Sequence, residues 1–205
     1  MKKMVFVILG AALALGLLTG CGSGGQSADT SKPVESDRSE GSAQPEQGTA
    51  AELGSLRSFS AGTLDGGTFT QEDIQAKDMT VIDFWSVTCR PCIAEMPDLA
   101  EFAKALPDNV QVVTVCLDGM GNETFAQEIL KKAGFEGVTL ISGNGDLLDL
   151  CANLMYTPTV VLVDSEGNLV GDAIIGGQED LSGTFLKAVN EALEAGGKDK
   201  IELES

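Results

Sequence analysis

Two thiols three residues apart, in the run Cys89-Arg90-Pro91-Cys92, follow the apolar stretch Val81-Ile82-Asp83-Phe84-Trp85 and precede a helix-like segment. This places Cys89 at a helix N-terminus, where unpaired backbone N–H groups and a partial positive charge stabilise a thiolate. In such a setting a cysteine pKa falls from about 8.5 to roughly 3.5–7.5. Cys92 lies one turn further along the same helix, close enough to attack a mixed disulfide formed at Cys89. The chemistry this predicts is disulfide exchange. A Cys-x-x-Cys pair is also half of a zinc site, but zinc takes about four ligands. The chain of 205 residues has no histidine, and its other cysteines, Cys21, Cys116 and Cys151, stand singly. Ligand count therefore argues against zinc, and the missing histidine removes Ser-His-Asp and Cys-His nucleophile schemes. The expectation is no metal, and no cofactor other than a redox-active Cys89–Cys92 disulfide.

The elements that must hold this pair are legible around it. Residues 59–64 and 68–70, joined by Asp65-Gly66-Gly67, read as a short hairpin, and Thr70 with Asp73 as the cap of a brief helix. Residues 80–85 form a β-branched and aromatic strand, and 89–106 a helix interrupted by Pro91 and kinked at Pro97. A near-continuous apolar strand at 110–117 precedes a helix at 123–133 that Gly134 stops. A short strand at 138–141, a short helix at 147–153, strands at 159–164 and 169–175 and a last helix at 179–195 complete the pattern. Strands alternating with helices and ending in a hairpin plus a helix predict an α/β fold. Its mixed sheet is covered on both faces, with the site at the carboxyl end of the central strand. The folded part is placed at 56–196, with a charged tail at 197–205.

Upstream, Lys2 and Lys3 precede an apolar segment that ends in Leu18-Thr19-Gly20-Cys21. Residues 1–20 read as a signal peptide, and the terminal tetrapeptide resembles a bacterial lipobox, in which the cysteine is lipidated. Cys21 is then a lipid anchor, and the expected location is the extracytoplasmic face of a bacterial membrane. Residues 21–55 are rich in Gly, Ser, Gln, Glu and Asp and read as a flexible acidic linker, reaching about 30 Å if it behaves as a coil. With 13 basic against 31 acidic residues and a net charge of −18, nucleic acid is not an expected partner.

Asp83-Phe84-Trp85, Cys89-Arg90-Pro91-Cys92, Glu95-Met96-Pro97 and Tyr156-Thr157-Pro158-Thr159 occur in this order, and together they resemble the TlpA/ResA-like branch of extracytoplasmic thioredoxin-fold thiol-disulfide oxidoreductases. The resemblance covers residues 56–196 and implies a thioredoxin-like three-layer α/β/α sandwich with an N-terminal hairpin extension. It implies that Cys89 is the attacking thiol, Cys92 the resolving thiol and Pro158 a cis-proline beside the pair. Asp83 would be a buried carboxylate that takes the Cys92 proton through a water. Trp85, Arg90, Pro91, Thr157 and Pro158 would line the substrate site. The chain departs from thioredoxin at Thr88, where thioredoxin has tryptophan, and at Arg90, where it has glycine. The implied partners are exported cysteine-containing proteins, apocytochrome c among the candidates, and a membrane thiol-disulfide electron carrier that re-reduces the pair. A thiol peroxidase of the same fold and a tethered binding domain with vestigial cysteines are the alternatives. Cys116 and Cys151 remain open as inert buried thiols, as a structural disulfide or as an auxiliary redox couple.

Overall fold

The computed structural model describes residues 49–203. The leader, Cys21 and most of the linker lie outside these residues. Among the described residues no helix is long and apolar enough to cross a membrane. The elements are β1 (Ser60–Thr63), β2 (Thr68–Thr70), α1 (Gln71–Gln75), β3 (Met79–Trp85), α2 (Arg90–Ala105), β4 (Val110–Cys116), α3 (Glu123–Ala133), β5 (Val138–Gly143), α4 (Asp146–Asn153), β6 (Thr159–Asp164), β7 (Leu169–Ile175) and α5 (Leu181–Ala195).

The seven strands form one mixed sheet in the order β2-β1-β5-β4-β3-β6-β7. Parallel pairing joins β3 to β4 and β4 to β5, whereas β6 runs antiparallel to β3 and β7 to β6. β3 is central and buried at every position, which is why it reads as a mostly apolar run, interrupted at Thr80 and Asp83, rather than an alternating one. Its side chains still alternate between faces. Met79, Val81 and Trp85 pack with Cys92, Met96, Leu99 and Phe102 of α2 and with Phe185 and Val189 of α5. Ile82 and Phe84 join the opposite core, with Ile74 of α1 and Leu147 and Leu150 of α4. Helices therefore cover both faces, giving the thioredoxin-like α/β arrangement expected from the sequence. Phe102 meets Phe185 edge-on, with ring centroids 5.7 Å apart, a geometry worth about 0.5–1.5 kcal/mol beyond area burial that fixes α2 against α5.

Local chemistry sets the element ends. Thr70 and Asp73 make a reciprocal capping box on α1, and Gly134 adopts φ 76° to close α3. α5 begins at Leu181 rather than at 179, because the Asp180 carboxylate accepts the Gly183 N–H at 3.0 Å and acts as its cap. α2 continues through Pro97 as one helix.

The fold extends past both edges that composition suggests. Thr49 and Ser55 bridge to Asp172 and Asn168, and a 3-10 turn at Ala50–Leu53 buries Ala50 completely. Residues 49–55, assigned to the linker by their polar composition, thus cover β7. At the other end Ile201 is 8% exposed, its backbone bracketed by the Asn190 side chain through hydrogen bonds of 2.8 and 3.1 Å. The charged tail therefore docks through Ile201, with the half-buried Leu203 packed against the same core.

Candidate active site

The carboxyl end of β3 leads through Ser86-Val87-Thr88 into α2, and Cys89 is the N-cap of that helix. Its sulfur accepts the Cys92 N–H at 3.3 Å, so the cap position filled elsewhere by a serine or aspartate oxygen is filled here by sulfur. Cys89 and Cys92 are joined in a disulfide, with Cα atoms 5.3 Å apart. Cys89 is partly exposed and Cys92 fully buried. Pro91 sits in the first turn of α2, where its lack of an N–H leaves no helical bond unmade. The Thr157-Pro158 peptide is cis. Antiparallel pairing of Phe84 with Thr159 brings this peptide to the same end of the sheet as the pair.

The buried carboxylate lies where the alternation of β3 places it, on the α2 face between Val81 and Trp85. Asp83 is 2% exposed, and its Oδ1 has no hydrogen-bond partner among the described residues. Burial, with a smaller push from the Glu95 charge, raises its pKa to about 8. Glu95 is a second buried carboxylate, 8% exposed, three residues after Cys92 and so on the same side of α2. Burial raises its pKa to about 7 against the opposing hydrogen bond from the Gln178 N–H at 3.2 Å, and Asp98 adds to the rise. The sequence offered Glu95 only as part of a motif. The signal available was its spacing, since a carboxylate at the inward-facing helical position next to a buried cysteine cannot reach solvent.

Of the residues expected to line a substrate site, Arg90 and Pro91 are exposed, Thr157 is half-buried and Pro158 is buried with its carbonyl accepting the Gly176 N–H at 2.8 Å. Trp85 departs from that expectation. It is fully buried, with its indole Nε1 unpartnered among the described residues, so it forms the floor of the site and presents no surface to a substrate. A residue pointing inward from a strand buried on both faces has no route to solvent. Arg90 makes no ion pair among the described residues. Exposed Leu117 and Met120, beyond β4, and Met155 and Tyr156, before the cis-proline, flank the pair on either side of the β3 column.

Cys116 and Cys151 are both unpaired, and they lie on opposite faces of the sheet. A disulfide between them would have to pass through the sheet, which removes that alternative. Burial, first, and Asp118, whose Oδ1 accepts the Cys116 S–H at 3.5 Å, raise the Cys116 pKa to about 12. Burial raises that of Cys151 to about 11. Neither supplies a thiolate at neutral pH. The double variant Cys116→Ser/Cys151→Ser is expected to keep disulfide-reducing turnover within about twofold of wild type. In an air-oxidised chain carrying Cys21→Ser, denaturing thiol titration should count two free thiols. Loss of turnover with fold and stability intact would reinstate a relay role.

Fold and site together define a thioredoxin-fold protein with a Cys-x-x-Cys disulfide at the N-terminus of its second helix. The chain belongs to the Redoxin family, whose profile matches residues 49–182. It is 30% identical over 125 residues to the thioredoxin-like protein YneN of Bacillus subtilis, covering 58% of this chain and 68% of that one. It is 42% identical over 48 residues to a thioredoxin of Acetoanaerobium sticklandii; that match covers 23% of this chain and about half, 46%, of the thioredoxin. Among solved structures, it resembles a secreted Mycobacterium tuberculosis disulfide oxidoreductase homologous to E. coli DsbE, with a TM-score of 0.51, 26% identity, and coverage of 65% of this chain and 96% of that one.

Proposed function

We propose that this protein is a thiol-disulfide oxidoreductase that reduces disulfides in exported proteins. The observation that carries this reading is the Cys89 sulfur placed at the N-terminal N–H groups of α2, accepting that of Cys92, to whose own sulfur it is bonded. In the reduced state those N–H groups favour the Cys89 thiolate. The thiolate attacks a substrate disulfide, forming a Cys89–substrate bond and releasing one substrate thiolate. Cys92 then attacks the Cys89 sulfur, releasing the second substrate thiol and leaving the disulfide seen here. Two electrons pass from the pair to the substrate. For Cys92 to attack it must lose a proton inside the core, and Asp83, on the sheet face beneath it, is the base in reach of that face. Glu95 is a second proton acceptor within one turn of Cys92. Trp85 and Met96 keep bulk water from the buried side of the pair.

Because each cycle leaves the Cys89–Cys92 pair oxidised, turnover requires a thiol donor, for which a membrane thiol-disulfide electron carrier is the fitting class. The leader pattern and Cys21 support a lipid-anchored, extracytoplasmic protein, as does the likeness to a secreted oxidoreductase. The reading also includes, as substrates, exported cysteine-containing proteins such as apocytochrome c, and no nucleic acid. The reduction potential of the Cys89–Cys92 couple tests the direction. A value near −250 mV or lower is expected for a reductase, whereas one near −120 mV would make the protein an oxidant and overturn the proposal.

A further inference from the structure

The turn between β7 and α5 touches both halves of the site. Gly176, at φ 84°, donates its N–H to the carbonyl of cis-Pro158 at 2.8 Å, and two residues later Gln178 donates its backbone N–H to Glu95 Oε2 at 3.2 Å. The Gln178 side chain closes the turn on itself, Nε2 to the Gly176 carbonyl at 2.7 Å. Between these anchors Gly177 leans on α2. A Cβ at this position would lie 3.3 Å from Glu95 Oε2 and 3.6 Å from Pro91 Cβ. Gly177 is not among the glycines of positive φ, so its backbone does not require glycine. What favours it is the approach to the carboxylate, which a Cβ would press aside by a few tenths of an ångström.

We infer that Gly176-Gly177-Gln178 is a positioning element for Glu95: the absent side chain of Gly177 lets the Gln178 N–H close on the carboxylate, and the bond to Pro158 holds that N–H in register with the disulfide. The inference rests on the oxidoreductase reading for its consequence in turnover, but not for the contact itself. The other charged groups that bear on Glu95 are Asp83 from β3 and Asp98, one turn along α2, both acidic. Glu179 and Asp180, which follow Gln178, are exposed. The Gln178 N–H is thus the contact that favours the ionised form, and without it Glu95 holds its proton to higher pH.

Carbon-detected NMR of the glutamate carboxyls in the oxidised full-length protein reads the contact directly, because the cysteines do not titrate in the disulfide. In wild type the Glu95 carboxyl carbon is expected to titrate near pH 7, with the Gln178 amide proton following the same midpoint and losing that titration in Glu95→Gln. Gly177→Ala should move the Glu95 midpoint up by about half a pH unit, since the new methyl presses on the carboxylate oxygen and weakens its bond to the Gln178 N–H. The pH profile of disulfide turnover should shift in the same direction in Gly177→Ala and show no such shift when Glu95→Gln is already present. An unchanged midpoint in folded Gly177→Ala, or a wild-type Gln178 amide that ignores the Glu95 titration, would overturn the inference; the second needs no variant to fold. A protein that shows both NMR effects yet reduces no disulfide would instead overturn the functional reading and leave the contact standing.

Discussion

Cys89→Ser is expected to lower turnover of a disulfide substrate such as insulin by at least about a thousandfold, to the rate of the external thiol alone, whereas Cys92→Ser should arrest partway as a covalent Cys89–substrate adduct. The asymmetry follows from position. Cys89 is the N-cap of α2, partly exposed, with the Cys92 N–H directed at its sulfur; Cys92 is fully buried and can reach only a sulfur already bonded to Cys89. Cys116, 1% exposed with its thiol donating to Asp118, cannot substitute for either. Iodoacetamide should accordingly modify Cys89 first in the reduced folded protein near neutral pH. Non-reducing electrophoresis with mass spectrometry checks the adduct. Its appearance in Cys89→Ser in place of Cys92→Ser would reverse the two roles.

How far this site could be read from the chain depends on whether the determinant is local. The hairpin, the Thr70–Asp73 capping box, the stop at Gly134 and strands β6 and β7 rest on signals within a few residues, and they stand where those signals put them. The strand-to-helix placement of Cys89 is of the same kind. What was not legible depends on contacts between distant segments. Residues 49–55 look like linker because Leu53 is their one large apolar residue, yet Ala50 and the following Leu56 are fully buried once β6 and β7 exist to receive them. Ile201 and Leu203 are isolated apolar residues in a charged tail, and the partner of Ile201, Asn190, lies on α5. The separation of Cys116 from Cys151 is intermediate. Register pairs Cys116 with Trp85 and so places it on the face of the active pair by strand parity, but nothing in the sequence shows against which face α4 packs. Glu95 shows the opposite failure. Its spacing from Cys92 was visible, but its significance came only from burial and from Gln178, 83 residues away in sequence.

Asp83→Asn is expected to stabilise the folded protein at pH 8 to 9 while slowing the release of the mixed disulfide by Cys92. In the unfolded chain Asp83 ionises with a pKa of 3.8; in the fold burial raises it to about 8. Between these values the folded state binds a proton that the unfolded state has released, so stability falls as pH rises from about 4 to about 8, and above that the folded protein carries a buried charge with an unpartnered oxygen. Displacement of that size corresponds to on the order of 5 kcal/mol, an upper figure because solvent entry and relaxation relieve part of the strain. Glu95 acts in the same direction over a narrower range, from 4.5 to about 7. Urea unfolding at a series of pH values checks this. Wild type should lose stability steadily towards alkaline pH, and Asp83→Asn should lose much less, so that the two curves diverge above pH 5 and the variant becomes the more stable by several kcal/mol at pH 8 to 9. Curves that run parallel across that interval would mean that Asp83 ionises in the fold as readily as in the unfolded chain, and the proton-accepting role argued from its burial would fall with them. The stability gain reports only that the charge is buried, whereas the loss of turnover reports its use: opposite signs mark a carboxylate held in the core for chemistry, and a gain in stability with turnover unchanged would mark one that the reaction does not need.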